Sequence, residues 1–422
     1  MDAMHDARIG FFQRDQNMEK KMKTVEVKKD IYWVGAVDWT IRDFHGYSTY
    51  KGTTYNSFLM LDEKVVLFDT VKHGKVDQLL ARIREVIDPS RIDYIVVNHV
   101  EMDHSGGLGE VIDVVKPEKI ICSTMGKKAL LEHFHREDWP YEVAAPGQTM
   151  GMGRRSVQFI ETRMLHWPDS MFCYLTGDKI LFSNDAFGQH LAAEHRFNDL
   201  VDQAELYQEA IKYYANILTP FSMLVEKKIK EILALNLPVE MICPSHGIIW
   251  RQDPLQIVNT YLKWAAAWQE NQITILYDTM WNGTRRMAES LAEGIHAADP
   301  SATVKLYNVA RSDKTEVMAE VFKSRAILVG SSTINRGMLS SVAAVLEEMR
   351  GLAFKKKKAM AFGAYGWSGE AVRQISQRLG EAGFAVLNDG LRLLWNPDDG
   401  GIEECVRVGK SFVEQLKSDV VS

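Results

Sequence analysis

The stretch that decides the fold reads Tyr94-Ile95-Val96-Val97-Asn98-His99-Val100-Glu101-Met102-Asp103-His104-Ser105-Gly106-Gly107. Its first residues form an apolar, β-branched run of the kind that makes a buried strand. Four side chains able to bind a metal follow within six residues: His99, Glu101, Asp103 and His104. In an extended chain side chains alternate, so His99, Glu101 and Asp103 are expected on one side. Gly106 and Gly107 then permit a tight turn into a helix. Carboxylates crowded together repel one another unless a cation lies between them. A structural role explains such a run poorly, and a metal explains it well.

Working outward, three more candidate ligands sit just after strand-like runs. His166 follows residues 157–165 and precedes Trp167-Pro168, whose proline holds the chain out of helix. Asp185 ends 180–184, and His246 ends 241–245 and precedes Gly247. Strand ends on one edge of a sandwich converge, so these loops can build one site. Imidazoles with three carboxylates and no thiolate suit iron or manganese more than a cysteine-rich zinc site. A carboxylate such as Asp185 can bridge two metal ions at roughly 3.5–4 Å.

The rhythm of the chain divides it in two. In the first part apolar runs are short and strand-like, at 31–37, 57–61, 65–69, 92–98, 119–122, 156–162, 179–184 and 239–244, with helical patterns at 75–86 and 126–135. This pattern predicts two packed sheets with helices outside. Helical periodicity at 206–218 and 222–235, broken at Pro220, and at 254–268 closes this part. Trp264 and Trp268 are spaced to share a helix face and are expected to pack on a core. After Asn271 strands at 273–278, 304–308, 326–330, 359–363 and 384–387 alternate with helices at 284–297, 315–322, 342–349, 369–382 and 401–416. Such β/α alternation predicts a doubly wound parallel sheet. The expected organisation is a flexible extension at 1–24, a metal-binding domain at 25–269 and a second domain at 270–422.

Three loops of the second domain carry its chemistry. Thr279-Met280-Trp281-Asn282-Gly283-Thr284 opens a helix and is neither a Walker A loop nor a dinucleotide fingerprint. Hydroxyls and backbone N–H groups at a helix N-terminus bind a phosphate without a cation. The loop resembles the flavodoxin loop that grips the 5′-phosphate of FMN. Ser332, Thr333, Ile334, Asn335, Arg336 and Gly337 follow one strand, and Ala364, Tyr365, Gly366, Trp367, Ser368 and Gly369 follow another. Both lie at strand carboxyl ends, where doubly wound sheets bind ligands. Small residues admit a planar ring, and Trp367 can stack on it.

The run from His99 to His104 resembles the H-x-H-x-D-H motif of the metallo-β-lactamase superfamily, with Glu101 in place of the second histidine. With His166, Asp185 and His246 following in order, and with Met164-Leu165-His166-Trp167-Pro168-Asp169-Ser170 and Leu181-Phe182-Ser183-Asn184-Asp185 around them, the chain resembles the flavodiiron proteins over residues 25–415. The resemblance implies a metallo-β-lactamase-like αββα sandwich followed by a flavodoxin-like doubly wound sheet. It implies that His99, Glu101 and His166 bind one iron, that Asp103, His104 and His246 bind the other, and that Asp185 bridges. In this family the residue equivalent to His104 is sometimes turned away and replaced by water. His45 and Tyr214 resemble residues that serve the substrate pocket. The implied cofactors are FMN and two iron ions. The implied substrates are O2, reduced to water, and NO, reduced to N2O, and the implied assembly is a head-to-tail homodimer or a dimer of dimers.

His190 and His195, close after Asp185, can donate protons or be exposed loop histidines. No cysteine pair of the rubredoxin kind and no nicotinamide-binding module is seen, so the donor is expected to be a separate rubredoxin or similar protein. The rival reading is a zinc-dependent hydrolase fused to a flavodoxin-like domain.

Composition narrows the rest. The 422 residues, 46% apolar and 25% charged, are enough for two cores. A net charge of −6 argues against nucleic-acid binding. Lys355 to Lys358 is the one basic run, expected to be a solvated loop or an aid in docking an acidic redox protein. The four cysteines, Cys122, Cys173, Cys243 and Cys405, form no C-x-x-C pair, and Cys243 is expected to be a buried apolar residue. Without a signal peptide or membrane-spanning run, a cytoplasmic protein is expected.

Overall fold

The computed structural model describes residues 24–418, so nearly all of the expected N-terminal extension lies outside the described residues. The chain forms two compact units, one of residues up to 44 with 49–210 and 227–259, the other of 45–48, 211–226 and 260 onward.

The first unit holds two sheets. One has seven strands in the order Val25–Lys28, Ile31–Trp33, Phe58–Met60, Val66–Phe68, Tyr94–Val97, Lys119–Cys122 and Tyr141–Val143. Its first three pairings are antiparallel and its last three parallel. The other has five strands in the order Thr149–Gly151, Ser156–Glu161, Met171–Leu175, Ile180–Asn184 and Met241–Pro244, with only the last pairing parallel.

The period of two explains the layering. Tyr94 and Val96 face the second sheet, whereas Ile95 and Val97 face the helices. The same alternation puts Phe58, Met60, Val66 and Phe68 in the inter-sheet core and Leu59 and Leu67 in the other. Phe159, Cys173, Phe182 and Cys243 meet them from the second sheet, with Phe68 stacked on Phe182 at 4.3 Å. Strands buried on both faces read as continuous apolar runs. Helices Val76–Val86 and Leu108–Val115 bury Leu79, Ile83, Val111 and Ile112 on the outer face.

The second unit carries a sheet in the order Thr303–Asn308, Glu270–Asp278, Ser324–Ser331, Lys358–Tyr365 and Ala385–Val386, all parallel. Helices Gly283–Ala298 and Asp399–Ser418 pack so closely that a Cβ at Gly294 would lie 2.1 Å from the Val406 carbonyl. No helix among the described residues is long and apolar enough to cross a membrane.

Several elements depart from their sequence reading. The run 31–37 is two strands, broken where a Cβ at Gly35 would lie 2.1 Å from the Tyr55 carbonyl. Met171–Leu175 is an additional strand, wholly buried, which the helix-like loop text around it obscured. The helix 206–218 is α-helical over Gln203–Tyr213 and then a π-helical turn, Tyr214–Leu218. The helix 254–268 ends at Ala265, so Trp268 lies beyond it. The strand expected at 384–387 shrinks to two residues, and Leu391–Leu394 pairs further along the same neighbouring strand. The basic run is not wholly solvated. Lys357 is buried, its ammonium donating to the carbonyls of Phe322 and Ser324, and Lys358 opens a strand.

Candidate di-metal centre and flavin cleft

The metal cluster is assembled at strand ends. His99 leaves the strand Tyr94–Val97, while Asp185 and His246 leave the parallel pair Ile180–Asn184 and Met241–Pro244, in which Asn184 opposes Pro244. His166 lies in the loop before Met171, whose amide donates to the Asn98 carbonyl at 3.0 Å. Asp103 and His104 arrive differently from expected. They stand on a helical turn, Met102–Ser105, not on an extended run, so rotation along a helix and not strand alternation aims them. Gly107 makes that turn possible, since a Cβ there would lie 2.4 Å from Val76.

Two groups of ligand-type atoms result: His99, Glu101, His166 and Asp185, then Asp103, His104 and His246. Asp185 faces both. Its Oδ2 lies 3.5 Å from His99 Nε2 and 3.4 Å from His166 Nε2, and its Oδ1 lies 3.1 Å from His104 and 3.5 Å from His246. Glu101 Oε2 is 3.3 Å from His99 and 3.4 Å from His166, and Asp103 Oδ2 is 2.9 Å from His246. His104 thus points into the cluster.

The electrostatics follow from this crowding. Burial alone pushes the His99 imidazole down, but hydrogen bonds to Asp169 and Glu101 outweigh it and raise it well above its usual value. His104 is raised to about 9, the nearby Asp103 and Asp185 charges overcoming burial. Burial would raise Glu101, yet contacts with His166 and His99 lower it to about 2. Asp185 is held well below the carboxylate range against its burial by His104, His166 and His99. Even so, Asp103 Oδ1, both Asp185 oxygens and both His104 nitrogens are buried and make no hydrogen bond. Buried polar atoms are normally partnered, and metal ions at the two groups would supply what these atoms lack. The donor set therefore fits a pair of metals.

Outer residues hold the cluster. His99 Nδ1 donates to Asp169 Oδ2 at 2.9 Å, and His246 Nδ1 donates to the Thr54 carbonyl at 2.6 Å. Such contacts select the tautomer that leaves Nε2 for a metal. Asp69 accepts from the Asn98 amide and side chain at 2.7 and 2.8 Å. Asp69 and Thr54 belong to no motif in the sequence, and Asp169 stands only within the 164–170 signature. A lone aspartate at a strand end gives no signal beyond its position. His190 is fully buried, its ring 4.8 Å from that of His246 and its Nδ1 2.8 Å from Thr53 Oγ1, so it is no exposed loop histidine. His195 is exposed.

His45 and Tyr214 fall in the second unit. Tyr214 is fully buried among Tyr261, Trp264 and Phe322, with its hydroxyl 3.1 Å from Ser222 Oγ. His45 is exposed, with its ring 6.1 Å from Tyr47.

The second unit also holds a cleft of about 430 Å3. Met280, Trp281, Gly283, Ser332, Thr333, Ala364, Tyr365, Gly366 and Trp367 line it, joined by Trp395 and Asn396, which sequence reading missed. Their signal was an aromatic and an amide directly after the leucine-rich stretch Leu391-Arg392-Leu393-Leu394. The lining omits Thr279, Asn282, Thr284, Ile334, Asn335, Arg336, Gly337, Ser368 and Gly369. Of these, Thr284 supports the cleft from behind, its hydroxyl 3.0 Å from Ser332 Oγ. Ile334 to Gly337 form a tight turn, and Gly337 lines a separate cleft. Ala364 and Tyr365 end a strand.

The cleft fits a flavin phosphate and ring. The helix Gly283–Ala298 has no side-chain cap at Asn282, and Thr279 Oγ1 is buried without a partner. Uncapped N–H groups and a free hydroxyl suit a phosphate. Trp281 and Trp367 stand 87% and 85% exposed, which is costly for indoles unless a planar ring covers them.

Fold and site together define a two-domain redox protein with a carboxylate–histidine di-metal centre and a flavodoxin-type flavin cleft. The model of the ODP family beta lactamase matches residues 53–247, and that of flavodoxin matches 275–409. Anaerobic nitric oxide reductase flavorubredoxin of Escherichia coli O1:K1 is 50% identical over 395 residues, 93% of this chain and 82% of that protein. The solved rubredoxin oxygen:oxidoreductase from Desulfovibrio gigas has a TM-score of 0.92 at 39% identity, covering 95% of this chain and all, 100%, of the other. The flavodiiron protein from Giardia intestinalis gives 0.89 at 33% identity, over 92% and 96%. The chain belongs to the flavodiiron family. It is accordingly an oxidoreductase whose cofactors are FMN and a non-haem diiron centre.

Proposed function

We propose that the protein takes electrons from a rubredoxin-type donor through FMN to the diiron centre and there reduces NO to N2O, O2 to water, or both. The observation that carries this reading is the pair of ligand groups that share Asp185, in a chain that also folds a flavin cleft. In this reading His99, Glu101 and His166 would hold one iron and Asp103, His104 and His246 the other, with Asp185 shared between them.

When bound, FMN supplies single-electron transfer, and the irons supply both electrons and Lewis-acid sites for a diatomic gas. The chain's own residues do the rest. Asp169 and Thr54 fix the tautomers of His99 and His246. Val100, Ile95 and Val97 are buried in the core formed with the outer helices. Ser332 hydrogen-bonds the Met280 amide and Thr284, tying the phosphate loop to the loop after Ser324–Ser331, and Trp367 and Trp281 would lie against a bound ring.

The deciding experiment compares anaerobic NO consumption and O2 consumption by reduced, iron- and FMN-loaded protein. Turnover of neither gas would overturn the proposal, and zinc without flavin absorbance would favour the hydrolase. The same proposal includes a diiron domain at 25–269, an FMN domain at 270–422, a head-to-tail homodimer or a dimer of dimers, and a cytoplasmic location. Size measurement in solution checks the assembly. A pocket role for His45 and Tyr214 requires that His45→Asn or Tyr214→Phe change the NO to O2 rate ratio, and unchanged ratios remove it.

A further inference from the structure

At first contact the two ligand groups are chemically matched. Each offers two imidazoles and one carboxylate, and each faces one oxygen of Asp185. What stands behind them is not matched. Behind His99 is Asp169, a buried carboxylate that accepts the ring N–H at 2.9 Å and is itself fixed by the Val100 amide at 2.8 Å. Behind His246 is a neutral carbonyl, that of Thr54, at 2.6 Å. His104 Nδ1 is buried and makes no hydrogen bond. The other buried carboxylate nearby, Asp69, acts on both His104 and His99, so it does not distinguish the groups.

We infer that Asp169 is a positioning residue that makes the two metal sites inequivalent, with the metal at His99, Glu101 and His166 held more tightly and more readily oxidised than its neighbour. A carboxylate that accepts a ring N–H pushes electron density toward the opposite nitrogen, so that His99 Nε2 becomes a stronger donor. A neutral carbonyl does this less, and a ring nitrogen without a partner does not do it at all. The inequivalence is thus set one bond beyond the ligands, by a side chain in the loop that also carries His166. It rests on the diiron assignment proposed above.

The test uses the full-length, metal-free protein titrated anaerobically with cobalt(II), followed by absorption and calorimetry. Wild type should show two sites of unequal affinity. Asp169→Asn should weaken the tighter one about 10- to 100-fold and leave the other within about twofold, and Asp169→Glu should restore part of the loss. With iron loaded, the half-reduced variant should give less of the mixed-valence signal in electron paramagnetic resonance than wild type. Equal loss at both sites, or no loss at either, overturns the inference. So do two equal affinities in wild type, a reading that does not depend on the variant folding. Wild type that binds fewer than two metals would instead sink the diiron assignment.

Discussion

The metal cluster and the flavin cleft are built from opposite materials. The first is buried and charged: His99, Asp185 and His246 are at most 1% exposed, and at His99 and Asp185 neighbouring charges and hydrogen bonds override burial in setting proton affinity. The second is open and nearly neutral, with Trp281, Trp367 and Trp395 facing solvent and hydroxyls behind them. The difference teaches where each obtains its specificity. A buried charged site must be satisfied atom by atom, because an unpaired charge in a low-dielectric interior is costly. An open stacking site needs only a flat surface and a few donors, so it tolerates variation in its lining.

The largest expected effect breaks the metal side alone. His246→Ala should lower gas turnover roughly 10^3-fold or more, the scale seen when one member of a unit is lost, while FMN stays bound at full occupancy by absorption. Loss of flavin as well would mean that the two regions are not independent.

Next comes the backbone beside His246. Gly247 has φ +72°, and a Cβ there would lie 2.3 Å from the Gln189 carbonyl. Gly247→Ala should destabilise the first unit by about 3 kcal/mol and weaken metal binding, read by denaturant unfolding and metal content.

A pH test contrasts how the two units bury charge. Among the described residues Lys357 has no carboxylate partner, and burial pushes its ammonium down to about 7. Unfolded, it titrates near 10.4, so between about pH 7 and 10 the unfolded chain binds the extra proton. Stability of the second unit should therefore rise with pH across that window, by about 1.4 kcal/mol per pH unit at most. Lys357→Met should flatten the slope. Equal slopes in variant and wild type would show that Lys357 stays charged against its two carbonyls.

The smallest effect sharpens the flavin side. Thr284→Val removes the hydroxyl beside Ser332 and should weaken FMN about tenfold, near the 1–1.5 kcal/mol of one hydrogen bond. Fluorescence titration of the apoflavoprotein checks it, and iron content should not move.

Legibility followed the same division. The strands of the first unit announced themselves because both faces of Tyr94–Val97 and Val66–Phe68 are buried. Met171–Leu175 was equally apolar but short and enclosed by loop text, so it went unread. In the second unit the β/α alternation was plain, whereas the edge strand was not. Its two pieces, Ala385–Val386 and Leu391–Leu394, lie on either side of a turn at Gly390. Lys357 was misread for a different reason, since a charge run looks solvated until the chain that covers it is known.

By itself the sequence determined the cast of the metal cluster and the order of the sheets, because residue type decides what can bind a cation and apolar periodicity decides which face is buried. Only the tertiary structure decided how the cast is aimed. It set Asp103 and His104 on a helical turn and gave one Asp185 oxygen to each group. It also placed Trp395 in the flavin cleft and Asp169 behind His99. Apart from the helical turn, these are meetings of segments separated by about 20 to 115 residues in the chain, and local pattern carries no information about them.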